Sequence, residues 1–454
     1  MANGRAVPSI DSGPPASCIG QLRQPVKPDL RTFTAMNIRA VIAGVIFVVL
    51  LSHSRSAPCR EFPSFSQIDA DGSGALSKRE VLTRGAGAIY AFFDRYDTDK
   101  NGELGNGEFT AAVAHLEWRE KRGPAFAHLQ PALGTPDDFK VALDTFRNHH
   151  ELEGAALIVG TGRGPALEAY SGTYGPRTVI NIASASKWFT GLIVATVVHE
   201  TGLRFSDRLS SWQPTLAGTP LGNATLAQLI SFTAGGPAIG TSRESDLSLP
   251  STISFEEAAR RLMKYKLVAD PGTTFAYGSW TMQLGGIWAA ARAGETWQAL
   301  QKRIVSKPLS LEDSRWGYFA RERGTVTNPN LQGGLWTSPR DLVRFISAVQ
   351  AKKKLDPWAI DRVEQVMTRG LVRGLAPPEA HGMDFGLGVW CEREDSNGQC
   401  RNIQSTGAWG TSIWVNRDTG IWGVFFVFDR GPRVSHDRTV LREAAEAFVS
   451  EHAR

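Results

Sequence analysis

Ser184 and Lys187 stand three residues apart in Ser184-Ala-Ser-Lys187, a spacing that puts a hydroxyl and an amine on one face of a helix start. Serine needs a base before it can attack a carbonyl, and a lysine whose pKa burial has lowered can take its proton. The free amides and dipole of a helix start also favour developing negative charge. Taken alone the pair says little, because Ser-x-x-Lys should arise about once by chance in such a chain. A second constellation is more specific. Asp69-Ala-Asp71-Gly-Ser73-Gly74-Ala75-Leu76-Ser77-Lys-Arg-Glu80 and Asp97-Thr-Asp99-Lys-Asn101-Gly102-Glu103-Leu104-Gly105-Asn-Gly-Glu108 each place oxygen-bearing side chains at positions 1, 3 and 5, glycine at 6, an apolar residue at 8 and glutamate at 12. That order wraps a chain around one hard cation, with the carbonyls of Ala75 and Glu103 as further ligands and Glu80 and Glu108 able to bind bidentately. Gly74 and Gly102 occupy the sharp turn, where a positive φ is needed.

The two loops resemble an EF-hand pair, which implies two Ca2+ sites: Asp69, Asp71, Ser73, Ala75 and Glu80 in one, and Asp97, Asp99, Asn101, Glu103 and Glu108 in the other. The loops start 28 residues apart. Val81 to Tyr96 is expected to form one connecting helix with Ile89, Phe92 and Phe93 on its apolar side, and Leu76 and Leu104 are expected to pair in short strands between the loops. Phe109 to Arg122 reads as the last helix of this small all-α module, and Gly123 to Pro136 as a linker. Beyond it, a helix at Phe139–Asn148 leads into the apolar run Gly154–Gly160, which pairs with a strand near Ala166–Tyr170. Ser186–Thr201 is a long apolar helix closed by Gly202. Helices follow near Leu226–Ser231, Phe255–Lys266, Trp280–Ala293 and Pro339–Gln350. Strands return at Phe385–Cys391, Ser412–Asn416 and Trp422–Phe428, before a final helix at Thr439–Glu451. Strands at both ends and helices between them predict one α+β domain closed by its own termini.

The stretch Ile180-Asn-Ile-Ala-Ser184-Ala-Ser-Lys187-Trp-Phe-Thr-Gly191 resembles the serine β-lactamase and penicillin-binding-protein-like superfamily, especially class C and related esterases and peptidases. The resemblance continues in order along residues 137–450. Leu229-Ile-Ser-Phe-Thr-Ala-Gly235 is similar to that family's Leu-Leu-Ser-His-Thr-Ser-Gly, Pro271-Gly-Thr-Thr-Phe-Ala-Tyr277-Gly-Ser279 to its Tyr-x-Asn element, and Gly333-Gly334-Leu-Trp-Thr-Ser-Pro-Arg-Asp341-Leu to its Gly-Gly-Leu helix start. Ser405-Thr406-Gly407 stands where the family has Lys-Thr-Gly or His-x-Gly, just before an expected strand. Several short motifs in order are far more specific than any one of them. The resemblance implies an antiparallel sheet flanked by helices with a helical subdomain. It also implies roles: Ser184 as nucleophile, Lys187 as proton acceptor, Tyr277 as the group that completes proton transfer, and the amides of Ser184 and Ala408 as the oxyanion hole. Ser279, Ser405, Thr406 and Gly407 would contact substrate. Ser279 replaces the family's asparagine, Phe232 its histidine, and Ser405 its cationic or imidazole residue. Without a positive charge at 405, a substrate carboxylate loses its usual partner, which favours a neutral ester or amide over a β-lactam. Trp188, Trp280 and Trp409 each adjoin a motif and serve either as an aromatic wall or, more simply, as core.

The 454 residues give room for a large core plus a small module, with ordinary proportions of hydrophobic (42%) and charged (21%) residues. The net charge is +5, but residues 1–57 carry six cations and two anions, leaving +1 for the rest, so charge implies no nucleic-acid partner. Ala40–Leu51 is an unbroken apolar run behind Arg39, too short to span a bilayer and suited to a signal-peptide core; the alternative is a buried or anchoring helix. Met36-Asn-Ile-Arg39 would make a compact start for such a signal. Pro58 ahead of Cys59 speaks against lipidation. Cys391 and Cys400 flank a turn-rich insert and suit a disulfide in an oxidising compartment, while zinc lacks a second close pair. Expected divisions are residues 1–57 for export, 58–130 for the EF-hand pair and linker, and 131–454 for the hydrolase.

The sequence therefore reads as a periplasmic or secreted serine hydrolase that acts through an acyl-enzyme on a small-molecule or peptide-like ester or amide, with membrane contact only through the export segment. The rival is a calcium-dependent binding or sensor protein with a catalytically dead hydrolase domain. Calcium would stabilise the small module, dock it beside the active site or open a target groove; the first suits the abundant calcium outside cells. There is no Gly-x-Ser-x-Gly elbow, and His199-Glu200 lacks a second histidine for zinc.

Overall fold

The computed structural model describes residues 63–452 apart from 85, 91–92, 128–132, 243, 247–248, 319–324 and 381. The expected export segment, Cys18, Cys59 and Phe92 lie outside the described residues. No helix among the described residues is long and apolar enough to cross a membrane.

The N-terminal module comprises α1 (Phe65–Ile68), β1 (Ala75–Ser77), α2 (Lys78–Thr83), α3 (Gly87–Tyr90), α4 (Phe93–Tyr96), β2 (Glu103–Gly105) and α5 (Asn106–Lys121). Strands β1 and β2 pair antiparallel with Leu76 opposite Leu104, as their register in the loops requires. The module is thus helical around the short ladder expected between the loops. The single connecting helix expected over 81–96 is broken: α2 ends at Thr83 and the chain becomes helical again at Gly87. Gly85 and Gly87 each weaken a helix interior by about 1 kcal/mol, enough to outweigh the apolar periodicity.

The hydrolase part begins with α6 (Pro136–His150) and the hairpin β3 (Gly154–Thr161) and β4 (Gly164–Gly172). It continues through β5 (Ile180–Asn181), a 3₁₀ turn at Ala183–Ala185 and α7 (Ser186–Thr201), then the helical lobe with α8 (Leu226–Ile230), α9 (Phe255–Leu262) and α10 (Thr281–Ala293). It closes with β6 (Leu335–Thr337), α11 (Pro339–Ala351), β7 (Asp384–Phe385), β8 (Trp390–Glu394), β9 (Cys400–Thr406), β10 (Gly410–Asn416), β11 (Trp422–Phe428) and α12 (Gly431–His452). Seven antiparallel strands run in the order β7-β8-β9-β10-β11-β3-β4, so the two ends of the chain meet where β11 pairs with β3. Both central strands are apolar on both faces because both faces are covered. Along β3, Ala156 and Ile158 enter the core shared with α7 and the helical lobe. Ala155, Leu157 and Val159 point the other way, into a core with Phe139, Phe146 and Leu441 from α6 and α12.

Residues 62–454 form one compact unit. Part of the expected linker is docked: Ala125 and Phe126 donate their backbone N–H groups to Asp437 at 2.8 and 2.9 Å, and Phe126 enters the core under the sheet. The strand expected over 385–391 divides into β7 and β8, because Gly386–Val389 forms a tight turn with Gly388 at φ 104°. That turn clasps α7. A Cβ on Gly191 would lie 1.7 Å from the Leu387 carbonyl oxygen, and one on Gly388 would lie 2.2 Å from the Lys187 carbonyl oxygen. Gly191→Ala is therefore expected to destabilise the fold by about 3 kcal/mol, read as a lowered denaturation midpoint; an unchanged midpoint would show that the clasp gives way freely.

Candidate active site

Helix α7 is buried from Ser186 to Val198, and the Lys187 side chain is buried with it. Burial holds the Lys187 ammonium down to about 7, and the Asp246 carboxylate partly opposes that shift. The amine donates to Ser184 Oγ at 2.8 Å and to the Gln332 carbonyl at 2.9 Å. Ser184 itself is half-buried in the 3₁₀ turn. The residue before it, Ala183, has φ 45°, a left-handed conformation that strains any residue with a side chain and persists only where the surroundings fix it.

Three anchors fix this turn. Asn181 is wholly buried; its Oδ1 accepts the Ala183 N–H at 2.9 Å, and its Nδ2 donates to the Gly333 carbonyl at 2.9 Å. Ser186 Oγ donates to the Ala183 carbonyl and accepts the Leu335 N–H. Ser405 Oγ, near the end of β9, donates to the Ser184 carbonyl at 3.4 Å. Ser405 and Thr406 thus belong to a strand and do not merely precede one, because β9 extends from Cys400 through Thr406. Gly407 lets the strand end approach: a Cβ there would lie 2.1 Å from the Ile182 carbonyl oxygen. Ala408 follows and is exposed, while Thr406 Oγ1 is hydrogen-bonded to Gln404 and Ser412.

Tyr277 is brought to the same place. Its ring centroid is 4.9 Å from Lys187 Nζ, and the ring packs against Trp390 at 4.7 Å and Phe232 at 5.3 Å. Phe232 has φ 60° and stands 5.8 Å from Lys187 Nζ, so the residue in the family's histidine position supplies an apolar face. Ser279 Oγ is buried without a hydrogen-bond partner among the described residues and closes against Gly236. Trp188 and Trp280 pack in the core against Phe345 and Tyr265, not as an aromatic wall. Trp409 is also buried.

Sequence reasoning missed Asp246, Asn330, Gln332 and Asn181. Asp246 is buried, and burial raises its pKa, opposed by hydrogen bonds and by Lys187. It accepts from Asn330 Nδ2 at 3.0 Å and Gln332 Nε2 at 2.7 Å. Gln332 therefore links the lysine's acceptor carbonyl to a buried acid. No local pattern in the polar stretch around Asp246 signals this, although Asn181 and Gln332 both lie in or beside motif segments.

Two other groupings stand apart from this site. Cys391 and Cys400 are joined by a disulfide across β8 and β9. In the N-terminal loops, carboxylate oxygens of Asp69, Asp71 and Glu80 lie within 4.8 Å of one another, as do those of Asp97, Asp99 and Glu108. The Glu80 carboxylate is oriented by the N–H groups of Ala70 and Ser77, and that of Glu108 by those of Thr98 and Gly105. Asp97 Oδ1 is buried with no hydrogen-bond partner among the described residues. An all-oxygen donor set with a buried carboxylate oxygen left over fits a hard divalent cation.

A neutral Lys187 can accept the Ser184 proton, whereas the ammonium cannot. Acyl transfer is expected to fall about tenfold per pH unit below the lysine's pKa of about 7 and to level off above it. A kcat/KM profile without an acidic limb between pH 6 and 8 would contradict this.

The Beta-lactamase family model matches residues 139–446, and an EF hand model matches residues 64–83, which contain the first loop. Among curated relatives, a β-lactamase of Pseudomonas fluorescens is 25% identical over 39% of this chain and 52% of its own length. The D-alanyl-D-alanine-carboxypeptidase/endopeptidase AmpH of Escherichia coli K12 is 22% identical over 63% of this chain and 82% of its own. The chain thus spans about half the length of the Pseudomonas enzyme and most of AmpH. The crystal structure of a Bacteroides dorei protein described as a β-lactamase superposes with TM-score 0.60 at 26% identity, covering 69% of this chain and 98% of that one. The hydrolase EstCE1 shares the fold at TM-score 0.54 and 16% identity, over 68% and 98% of the two chains. With its seven-stranded antiparallel sheet, its helical lobe and a family match across residues 139–446, the chain belongs to the Beta-lactamase family.

Proposed function

We propose that the protein is an exported serine hydrolase that forms an acyl-enzyme at Ser184 on a neutral ester or amide, and that its N-terminal loops hold two calcium ions. The observation that carries the catalytic reading is the 2.8 Å contact between Ser184 Oγ and a buried Lys187 amine whose pKa lies at about 7. Lys187 takes the proton as Ser184 Oγ attacks the substrate carbonyl carbon. The resulting oxyanion is held by the backbone amides of Ser184 and Ala408, each donor contributing about 3 kcal/mol. Lys187 returns that proton through the Tyr277 hydroxyl to the leaving group as the carbon–heteroatom bond breaks, and water then releases the acyl group by the reverse path. Ser405 offers a hydroxyl and no charge, which supports a neutral acyl substrate. An apolar acyl group suits the Phe232 and Tyr277 faces. The names of relatives span β-lactamase and peptidase activities, so the reaction class rests on them and the substrate class on Ser405. Export rests on the apolar run at 40–51 and on the Cys391–Cys400 disulfide.

Stopped-flow hydrolysis of a short-chain nitrophenyl ester tests this reading. A burst of one equivalent per active site is expected, and absence of both burst and turnover on neutral esters and amides would contradict it.

In the loops, the carboxylates of Asp69, Asp71, Glu80, Asp97, Asp99 and Glu108 would hold calcium with Ser73, Asn101 and the carbonyls of Ala75 and Glu103. When bound, the ions neutralise the clustered carboxylates and fix the loops. Glu108→Gln is expected to lower affinity at the second loop at least tenfold while leaving the first, as read by isothermal titration; two undiminished sites would remove Glu108 from the ligand set.

A further inference from the structure

The N-terminal module is not merely tethered to the hydrolase. Its core, built on residues such as Ile89, Tyr90, Leu104 and Phe109, also contains Ala183 and Trp409. These two belong to the turn that carries Ser184 and the turn that carries Ala408. Tyr90 stacks on Trp409 at 5.2 Å with the rings 30° apart. The indole Nε1 donates to Asn181 Oδ1 at 3.1 Å, the same oxygen that accepts the Ala183 N–H at 2.9 Å. A second link comes from α5: Arg119, buried, pairs with Asp429 at 3.2 Å. The Asp429 N–H in turn donates to the Trp409 carbonyl at 2.9 Å, and the neighbouring Gly431 N–H donates to the Ala408 carbonyl at 2.7 Å.

From this geometry we propose that Tyr90, Trp409 and Asn181 are positioning residues through which the N-terminal module holds the strained Ser184 turn and the Ala408 turn in register, so that calcium in the loops sets the rate of acylation. The proposal rests on the acyl-enzyme and calcium readings above. Two features make the coupling specific. The φ of 45° at Ala183 needs an outside hold, and the Asn181 oxygen that supplies it is itself held by an indole whose outer face is covered by Tyr90. Further, α3 lies between the two loops and α5 begins inside the second one, carrying its Glu108. Loosening either loop therefore frees a helix that grips the 408–409 turn. A displacement of about 1 Å at a reacting centre is enough to cost about a hundredfold in rate, and none of these residues is placed to touch the substrate, so KM is expected to change less than kcat.

The test uses the whole protein, wild type beside Tyr90→Ala and Tyr90→Phe, at saturating calcium and in chelator. Four readouts are taken: calcium binding by titration calorimetry, kcat and KM on a short-chain nitrophenyl ester, the rate of covalent labelling of Ser184 by a fluorophosphonate, and hydrogen exchange of the 181–185 and 407–411 backbone. In wild type, chelation is expected to slow labelling and kcat by about tenfold or more, with KM within about twofold, and to speed exchange in both segments. Tyr90→Ala should reproduce this at saturating calcium while still binding the ion, and Tyr90→Phe, which keeps the ring, should restore wild-type behaviour. Labelling and exchange unmoved by chelation and by Tyr90→Ala, with only the melting of the module lowered, would overturn the coupling and leave a module that simply stabilises itself. The failures of the underlying readings are distinguishable. A wild type that never labels refutes the acyl-enzyme, and exchange at 181–185 in Tyr90→Ala still decides the coupling. A wild type that binds no calcium refutes the loops as sites, and Tyr90→Ala against Tyr90→Phe decides the rest.

Discussion

Ser184→Ala is expected to abolish the burst and to lower kcat by a factor of about 10⁴ or more, because it removes the atom that forms the acyl bond and not one of several supports. The loss should be specific. The side chain is half-buried at the end of a turn whose anchors are Asn181, Ser186 and Ser405, none of which depends on the Ser184 hydroxyl. Thermal unfolding and calcium binding should therefore stay close to wild type. A variant that retains more than about a hundredth of the burst-phase rate would mean that another nucleophile carries the chemistry.

Lys187→Met makes the second large prediction, and its two effects have opposite signs. Turnover should fall by about 10³-fold, since the variant loses the amine that stands 2.8 Å from Ser184 Oγ. Stability should move the other way with pH. The unfolded lysine titrates near 10.5 and the folded one at about 7, so between those values the unfolded chain binds more protons and the wild type loses stability as pH falls. Below about 7 the loss is complete. The methionine variant has no such term. Relative to wild type it should therefore gain roughly 2–4 kcal/mol between pH 10 and pH 7, measured by denaturant unfolding at both values. A difference independent of pH would show that the lysine is not buried in its neutral form.

Much of this site is written in short segments of chain. The Ser184–Lys187 spacing, the helix to Thr201 and its Gly202 stop, the β3–β4 hairpin and the opposition of Leu76 and Leu104 all depend on neighbours within one or two elements, and local periodicity carries them. What the sequence does not display is set by contacts between distant segments. Gly386–Val389 turns because the clasp on α7 requires it, and an apolar run alone gives no sign of that. Asp246 becomes part of the lysine's surroundings only when its own loop and the 330–332 segment converge beside α7. Trp409 resembles any core tryptophan until Tyr90 is found against it. The helix expected between the loops is interrupted for a local reason that apolar spacing does not register, the two glycines at 85 and 87. The preference for calcium as a stabiliser of a separate module also changes character here, since the module shares its core with the turn beside the nucleophile.

The most direct measurement is the mass of the intact protein quenched during turnover of a neutral ester, followed by peptide mapping. The account predicts a single acyl adduct on the peptide that contains Ser184, accumulating above pH 7 and absent from Ser184→Ala. Turnover that proceeds with no adduct under rapid quench, or an adduct on any other residue, would contradict it.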